Sequence, residues 1–125
     1  MWFYKKRRGF TLLELMIVVL IVGILASLGL PRFIKAIRKA KEAEAKHILG
    51  AIRSAQLRYY AEHNTYTTDI SDLDVGPITG GTGDYDSDYY TYTAINVGGN
   101  IGDAEAKVSG ISNFRVNVDG EITTY

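Results

Sequence analysis

A nearly unbroken apolar run close to the N-terminus most constrains how this chain can fold. Residues 10–30 read FTLLELMIVVLIVGILASLGL, and Glu14 is the single charged residue among them. At about 1.5 Å per residue, a helix of this length spans roughly 30 Å, which is the thickness of the hydrocarbon core of a bilayer. The run therefore predicts a helix long enough to cross a membrane.

Two simple interpretations of the run leave its acid unexplained. A cleaved secretory signal fits the basic residues before it, but the run exceeds the usual ~7–15 apolar residues, and no A-x-A-like site with a polar break follows. A plain single-pass anchor fits the length, although basic flanks on both sides weaken the orientation signal of the positive-inside rule. Neither needs Glu14, whose carboxylate costs roughly 2–3 kcal/mol in a membrane segment and usually marks function there.

A third interpretation accounts for the acid. A cluster of four cations precedes the run: Lys5, Lys6, Arg7 and Arg8. Followed by Gly9, Phe10 and Glu14, this cluster resembles the leader and N-terminal segment of type IV pilins and type II secretion pseudopilins. The resemblance implies that a membrane-embedded prepilin peptidase cuts between Gly9 and Phe10 and methylates the new amino group. It also implies that Glu14 is the family's acid at the fifth mature position.

Physical reasoning gives Glu14 the same role in assembly. Cleavage creates a positive amino group at Phe10, and burying that charge alone in an apolar filament core is very costly. The Glu14 carboxylate of an adjacent subunit can neutralise it, and a buried pair of this kind fixes register. We therefore expect Glu14 to recruit the next subunit.

Pro31 is a second point of resemblance, because many pilins carry a helix-breaking proline at the corresponding place. Proline removes one helical hydrogen bond and clashes with the preceding turn. Two interpretations stay open at this point. Either one helix kinks or locally extends at Pro31, or the first helix ends at the membrane face and Pro31 opens the next.

The remaining pattern predicts an α+β fold, with a long N-terminal helix packed on a small antiparallel sheet. Apolar residues recur at spacings of three and four over residues 32–63, and Asn64 and Thr65 are typical of a helix stop. The predicted segments are a leader (1–9), an apolar helix (10–31), an amphipathic helix (32–63) and a head of loop and sheet (64–125).

Within the head, the sequence predicts a loop followed by three or four short strands. Residues 76–88 are rich in turn residues and predict an irregular loop. Asp119–Gly120 is a strong signal for a type I′ hairpin. The strands are predicted at residues 89–97, 105–111, 113–118 and 121–125.

Charge is segregated along the chain although its formal net charge is zero. Residues 5–8 carry four positive charges, residues 32–58 carry eight cations against two acids, and residues 62–125 carry eleven acids against two cations. An acidic head is unsuited to direct binding of nucleic acid, and it suits contact with the basic stem of a neighbouring copy. Absence of cysteine excludes disulfides and thiol chemistry.

The alternating acids Asp84, Asp86 and Asp88 are the one candidate for a metal site. Their spacing is similar to the opening of a calcium loop, but Tyr89 and Ile95 stand where an EF-hand needs Gly and Glu. A different calcium site, as major pseudopilins have in their C-terminal loops, and a solvated acidic loop both stay open. No other cofactor is predicted.

A cluster of four tyrosines lies beside the acids: Tyr85, Tyr89, Tyr90 and Tyr92. Ordinary packing of alternate strand residues against the helix is the preferred interpretation, and an adhesive or subunit-contact face is the alternative. His47 and His63 have no partner at metal-ligand spacing, and no catalytic motif is present. An enzyme is therefore not expected.

The sequence thus predicts a structural subunit of an extracytoplasmic helical filament. A type IV pilus, used in adhesion, twitching motility or DNA uptake, is the first interpretation. The pseudopilus of type II secretion and a membrane-tethered binding module that never polymerises are the alternatives. The resemblance implies three kinds of partner: copies of itself, the prepilin peptidase, and an inner-membrane platform with its ATPase. It also implies a precursor in the inner membrane and then a periplasmic or surface filament.

Overall fold

The computed structural model describes residues 9–75 and 84–125. Two compact units make up the chain, Met1–Ala36 and Ile37–Tyr125, called here the first and the second unit. One helix, α1 (Leu12–His63), belongs to both units, and it confirms the predicted N-terminal helix. The leader cluster Lys5–Arg8 lies outside the described residues.

The helix ends where the sequence predicts and continues through the predicted break. Asn64 takes a left-handed backbone conformation (φ 57°), and its N–H donates to the Tyr60 carbonyl oxygen at 2.8 Å. This geometry is a common helix stop, which Asn tolerates better than most residues. Pro31 lies inside α1, so the interpretation in which a new helix begins there is wrong for this subunit. Extension at Pro31 within a filament stays a prediction.

Among its described residues, the second unit contains a sheet of five antiparallel strands, one more than the largest predicted number. The strand order in space is the order in sequence. The strands are β1 (Asp84–Asp86), β2 (Tyr90–Val97), β3 (Asn100–Ala106), β4 (Phe114–Asn117) and β5 (Ile122–Thr124). A short 3-10 helix, Ile70–Asp72, lies between α1 and the sheet in sequence. The predicted α+β class is confirmed.

The turns explain where the predicted strands were wrong. Gly98 and Gly99 both have positive φ (59° and 82°), and Val97 pairs with Asn100 across them. Two successive positive φ values make the type I′ hairpin here, so β3 starts at Asn100 and not at Glu105. β1 likewise occupies part of the predicted loop, because Asp84–Asp86 pairs with β2.

The predicted type I′ turn at Asp119–Gly120 is also wrong. Only Gly120 of the pair has a positive φ (92°), and its N–H donates to the Asn117 carbonyl oxygen at 3.1 Å. This pattern matches a type I turn followed by a left-handed residue, which is the common three-residue hairpin connection. The hairpin itself, between β4 and β5, is as predicted.

The core of the second unit lies between one face of α1 and one face of the sheet. Ala45, Leu49 and Ile52 of α1 are buried at spacings of three and four. On the sheet, alternate residues are buried: Tyr90, Tyr92, Ala94, Ile101, Phe114 and Val116. This alternation confirms strand packing for Tyr90 and Tyr92, so the alternative of an adhesive face is wrong for these two tyrosines.

One close approach fixes how tightly the helix and the sheet pack. A Cβ added to Gly102 would lie 2.9 Å from Val116 Cγ1 and 3.1 Å from Ile52 Cγ2. The absence of a side chain at Gly102 therefore lets β3 come close to α1.

Candidate assembly site at the start of the apolar helix

Thr11 and Glu14 form a reciprocal cap on the first turn of α1. The Glu14 N–H donates to Thr11 Oγ1 at 3.2 Å, and the Thr11 N–H donates to Glu14 Oε2 at 2.9 Å. The Thr11 hydroxyl also donates to the same Oε2, at 2.9 Å. The first N–H groups of a helix have no partner within it, and a threonine followed three residues later by a glutamate satisfies two of them.

The cap leaves part of the Glu14 carboxylate available. Both bonds from Thr11 end on Oε2, and Oε1 accepts no hydrogen bond from any residue in the described part of the chain. The signal for this cap, T-x-x-E before an apolar run, is present in the sequence, and our sequence analysis missed it. Glu14 therefore has a local role that does not depend on a neighbouring subunit.

The apolar surface that follows this cap is fully exposed. Every residue of α1 from Leu12 to Leu30 is exposed, with Leu12 at 76% and Ile17 at 49% of its maximum. By length and composition α1 qualifies as a candidate membrane span, and its most apolar 18-residue window has a mean hydropathy of 2.6 with none of it buried. A soluble protein rarely leaves so large a continuous apolar surface uncovered.

The predicted processing site lies directly before the helix. Gly9 and Phe10 are exposed and precede the first helical residue, Leu12, so the peptide bond between them is outside α1. Pro31 is also exposed and lies within the same helix.

The acidic triplet is only partly visible. Asp84 belongs to β1, but its side chain lies outside what the structure describes. Asp86 Oδ1 accepts from the Thr91 hydroxyl at 2.6 Å and lies 3.2 Å from Lys107 Nζ. The hydrogen bond from Thr91 is the main cause that lowers the pKa of Asp86 below its ordinary value, and Lys107 is the second cause. Asp88 is exposed. Within residues 9–75 and 84–125, no three metal-ligating side chains come together.

Several cations of α1 contact the sheet or loops of their own chain, among them Arg38, whose Cζ would lie 3.0 Å from a Cβ added to Gly110. Lys41 Nζ lies 3.8 Å above the Tyr89 ring, and Lys46 Nζ lies 4.9 Å from the centre of the Phe114 ring. Arg53 Nε donates to the Val118 carbonyl oxygen at 3.0 Å, and Arg58 donates to the Asp74 carbonyl oxygen at 2.6 Å. These contacts attach α1 to the rest of the second unit. The cations that make them are therefore already engaged within their own chain and are less available to a neighbouring copy.

The outer face of the sheet carries a further polar cluster, Asp103–Arg115–Tyr125. Arg115 Nε donates to Asp103 Oδ1 at 3.0 Å, and the Tyr125 hydroxyl donates to Asp103 Oδ2 at 2.6 Å. The Arg115 guanidinium also lies 4.3 Å from the Tyr125 ring centre. Partial burial and the Asp103 carboxylate raise the pKa of Tyr125 to about 12. Sequence reasoning missed this cluster because its three members are distant in sequence.

Two models of protein families match the chain. The model of the "Prokaryotic N-terminal methylation motif" matches residues 4–30. The model of "Type IV minor pilin ComP, DNA uptake sequence receptor" matches residues 31–106, which is more than half of the chain. Together they include the cap at Thr11 and Glu14, the apolar surface and most of the sheet.

Curated relatives include both pilins and pseudopilins. The Type IV major pilin protein PilA of Myxococcus xanthus is 42% identical over 78 residues, which are 62% of this chain and 36% of the relative. The Type IV major pilin protein PilE of Neisseria gonorrhoeae is 37% identical over 79 residues, 63% of this chain and 46% of the relative. The Type II secretion system core protein G of Aeromonas hydrophila is 39% identical over 70 residues, 56% of this chain and 49% of the relative.

These matches span between about a third and a half of the length of the relatives. No solved structure matches the chain significantly. The methylation motif, the long apolar helix, the sheet and a family model that covers more than half of the residues agree with one another: the chain belongs to the type IV pilin family.

Proposed function

We propose that this pilin-like subunit polymerises into an extracytoplasmic helical filament, most simply a type IV pilus. The observation that supports this proposal is the exposed apolar surface of Leu12–Leu30, which begins at the capped carboxylate of Glu14. Apolar surface removed from water contributes about 25 cal/mol per Å². A bilayer before assembly and neighbouring α1 helices after it both provide that burial. The role is structural and not catalytic.

The proposed route starts with a precursor anchored in the inner membrane by α1. The prepilin peptidase cleaves between Gly9 and Phe10 and methylates the new amino group, and an inner-membrane platform with its ATPase extracts the subunit. The exposed peptide bond before α1 supports the cleavage step, because a peptidase needs an extended and accessible substrate. The filament then lies in the periplasm or at the cell surface.

Glu14 is proposed to neutralise the Phe10 amino group of an adjacent subunit. The open Oε1 atom supports this role, since a carboxylate that caps its own helix through Oε2 still has acceptor capacity for an ammonium group. The cap also holds the side chain in place before the partner arrives. Pre-ordered side chains lose less conformational entropy on binding.

The test separates the charge of Glu14 from its cap. Glu14→Gln keeps a side chain that can cap the helix and removes the negative charge, whereas Thr11→Val removes the capping hydroxyl and keeps the charge. We expect Glu14→Gln and Glu14→Ala to reduce sheared filaments by at least about tenfold, with normal membrane insertion. We expect Thr11→Val to reduce them by less.

Normal filaments from both Glu14 variants would overturn the charge-pairing step. Normal filaments from Glu14→Gln alone would show that Glu14 acts only as a helix cap. Mass spectrometry of the membrane fraction provides the control, because every variant should still begin at an N-methylated Phe10.

The pseudopilus of type II secretion is the second candidate, because core protein G of Aeromonas hydrophila is among the relatives. Mass spectrometry of sheared surface material and of membranes distinguishes the two. A processed chain abundant in sheared fibres indicates a pilus, and a processed chain confined to the membrane indicates a pseudopilin. An unprocessed chain in both fractions would support the tethered binding module instead.

The matched ComP family is described as a "DNA uptake sequence receptor". Direct binding of DNA by this chain is not part of the proposal. Residues 62–125 carry eleven acids and two cations, Lys107 and Arg115. Lys107 lies 3.2 Å from Asp86, and Arg115 lies 3.0 Å from Asp103, so both are already neutralised. The cations of residues 32–58 can hold DNA non-specifically at low salt, so a mobility-shift assay at physiological salt is the test. It should show no complex, and a stable complex would contradict this part.

We also propose that the sheet binds no calcium ion. Lys107 neutralises the Asp86 carboxylate, and a calcium ion would have to compete with Lys107 for it. Removal of calcium with a chelator should leave the melting temperature unchanged. A fall on chelation, reversed by added calcium, would restore the calcium interpretation.

A further inference from the structure

A shallow groove lies on α1 at the end of its apolar segment. Leu25, Leu28, Gly29 and Arg32 line this groove, whose volume is about 420 Å³. Their spacing of three, four and seven residues places them on one helix face, and Lys35 follows Arg32 by three residues on the same face. All five residues are exposed and belong to the first unit.

The groove combines an apolar floor with a cationic end. Leu25 and Leu28 expose most of their side chains, and a Cβ added to Gly29 would meet nothing within 4 Å, so the glycine leaves a notch beside them. Arg32 is the most C-terminal of the residues that line the groove. A phospholipid has the complementary form, because its acyl chain is apolar and its phosphate accepts bidentate hydrogen bonds from arginine.

The position of the two cations calls for a negatively charged partner. Arg32 and Lys35 directly follow the apolar run, so they emerge on the outer side of a membrane that α1 crosses with its N-terminus inside. Cations flanking a membrane helix are disfavoured on that side. No acid occurs between Glu14 and Glu42 in the sequence, and neither cation forms an ion pair within residues 9–75 and 84–125.

We propose that this groove binds an anionic phospholipid of the outer leaflet, with its headgroup on Arg32 and Lys35 and its acyl chain over Gly29. This inference rests on the proposed membrane-anchored precursor. Bound lipid would hold the waiting subunit at a fixed depth and would be released when the subunit enters a filament. Neutralising charge is supplied by the bilayer until the acidic part of a neighbouring subunit can replace it.

The test reconstitutes the full chain into vesicles of phosphatidylcholine and measures the motionally restricted fraction of spin-labelled lipids. Spin-labelled phosphatidylglycerol is compared with spin-labelled phosphatidylcholine. We expect about fivefold selectivity for phosphatidylglycerol, which is the effect of roughly one cation at an anionic headgroup. Because Lys5–Arg8 also attract anionic lipid, the matched variants all keep that cluster.

Three variants locate the site. Arg32→Gln with Lys35→Gln should lower the selectivity to the level that the Lys5–Arg8 cluster alone produces, and Arg32→Lys with Lys35→Arg should keep the full selectivity. Gly29→Leu keeps every charge but fills the notch, so it should lower the selectivity by about twofold. Unchanged selectivity in the glutamine variant or in Gly29→Leu would overturn the proposed site.

Two further outcomes separate this inference from the proposed function. A chain that inserts but shows equal restriction of both lipids contradicts the lipid site and leaves the filament proposal intact. A chain that fails to float with vesicles contradicts both. Loss of filaments in the glutamine variant with unchanged lipid selectivity would assign the two cations to a protein partner, and it would also overturn the lipid site.

Discussion

The two units of the chain contain similar apolar side chains in opposite environments. Phe33 of the first unit is 63% exposed, and Phe114 of the second unit is 2% exposed. In the second unit the sheet covers one face of α1, whereas every residue from Leu12 to Leu30 in the first unit is exposed. Composition therefore does not decide burial. The second unit covers its apolar helix face with its own sheet, whereas the apolar residues Leu12–Leu30 of the first unit stay exposed.

Polar contacts differ between the units in the same way. In the first unit they are local, since Thr11 bonds Glu14 and the Ser27 hydroxyl bonds the Ile24 carbonyl oxygen, each three residues apart. In the second unit Arg53 reaches Val118, and Gln56 reaches Ile101, across 65 and 45 residues. The polar contacts of the first unit can thus form within single helical turns, while those of the second unit form only when distant segments meet.

The largest change in unfolding free energy should come from Phe114→Ala, with Phe33→Ala as its matched control. Phe114→Ala opens a cavity in the core of the second unit and should lower its unfolding free energy by about 3–5 kcal/mol. Phe33→Ala, the matched control, should leave it unchanged because that ring is exposed. Thermal unfolding of the full chain in detergent, followed by near-ultraviolet circular dichroism, measures both. Equal losses would show that Phe33 has a covering contact within the chain.

The next effect should come from the buried amide of Gln56. Its Nε2 donates to the carbonyl oxygens of Thr67 (2.7 Å) and Ile101 (3.2 Å), and its Oε1 accepts from the Thr67 N–H (3.1 Å). Gln56→Leu leaves these buried groups without partners and should cost roughly 3 kcal/mol. Ser54→Ala, which removes an exposed bond within α1, should cost far less. A negligible change in the Gln56→Leu melting curve would contradict this role.

A pair of glycines should respond to alanine with opposite signs. Gly102→Ala forces a methyl group against Val116 and Ile52 and should destabilise the second unit by about 1–3 kcal/mol. Gly50→Ala meets nothing within 4 Å in α1 and should stabilise it by about 0.5–1 kcal/mol. Denaturant midpoints measured on the two variants check both signs. A stabilising Gly102→Ala would show that β3 can move away from α1.

The smallest effect should appear at high pH through Tyr125. Its folded-state pKa is raised to about 12, above the value of about 10 for an unfolded tyrosine. The protonated hydroxyl therefore contributes stability that is complete below pH ~10 and is lost as the pH rises through about 12. Since Tyr125 is 55% exposed, solvent screening limits this contribution to about 1 kcal/mol or less.

Tyr125→Phe provides the control for that pH dependence. Melting temperatures between pH 8 and pH 11.5 should fall less steeply in the variant, and spectrophotometric titration should show one fewer late-titrating tyrosine. Parallel melting curves for the two proteins would remove Tyr125 from the account.

The sequence by itself determined the features that depend on local pattern. The apolar run, the T-x-x-E cap, the helix stop at Asn64 and the family are all readable there, because a helix repeats every 3.6 residues and its ends have specific side-chain requirements. The α+β class followed from the change to β-branched and aromatic residues after residue 88. The Gly98–Gly99 turn, which the sequence analysis missed, also has a local signal, because two successive glycines favour a type I′ turn.

Only the tertiary structure decided which surfaces are covered and which polar groups meet. The buried Gln56, the close approach at Gly102 and the Asp103–Arg115–Tyr125 cluster each join segments far apart in sequence, and no local pattern encodes such distances. The same holds for the cations of α1, which look alike in sequence. Lys41, Lys46, Arg53 and Arg58 contact the sheet or loops of their own second unit, whereas Arg32 and Lys35 of the first unit are exposed.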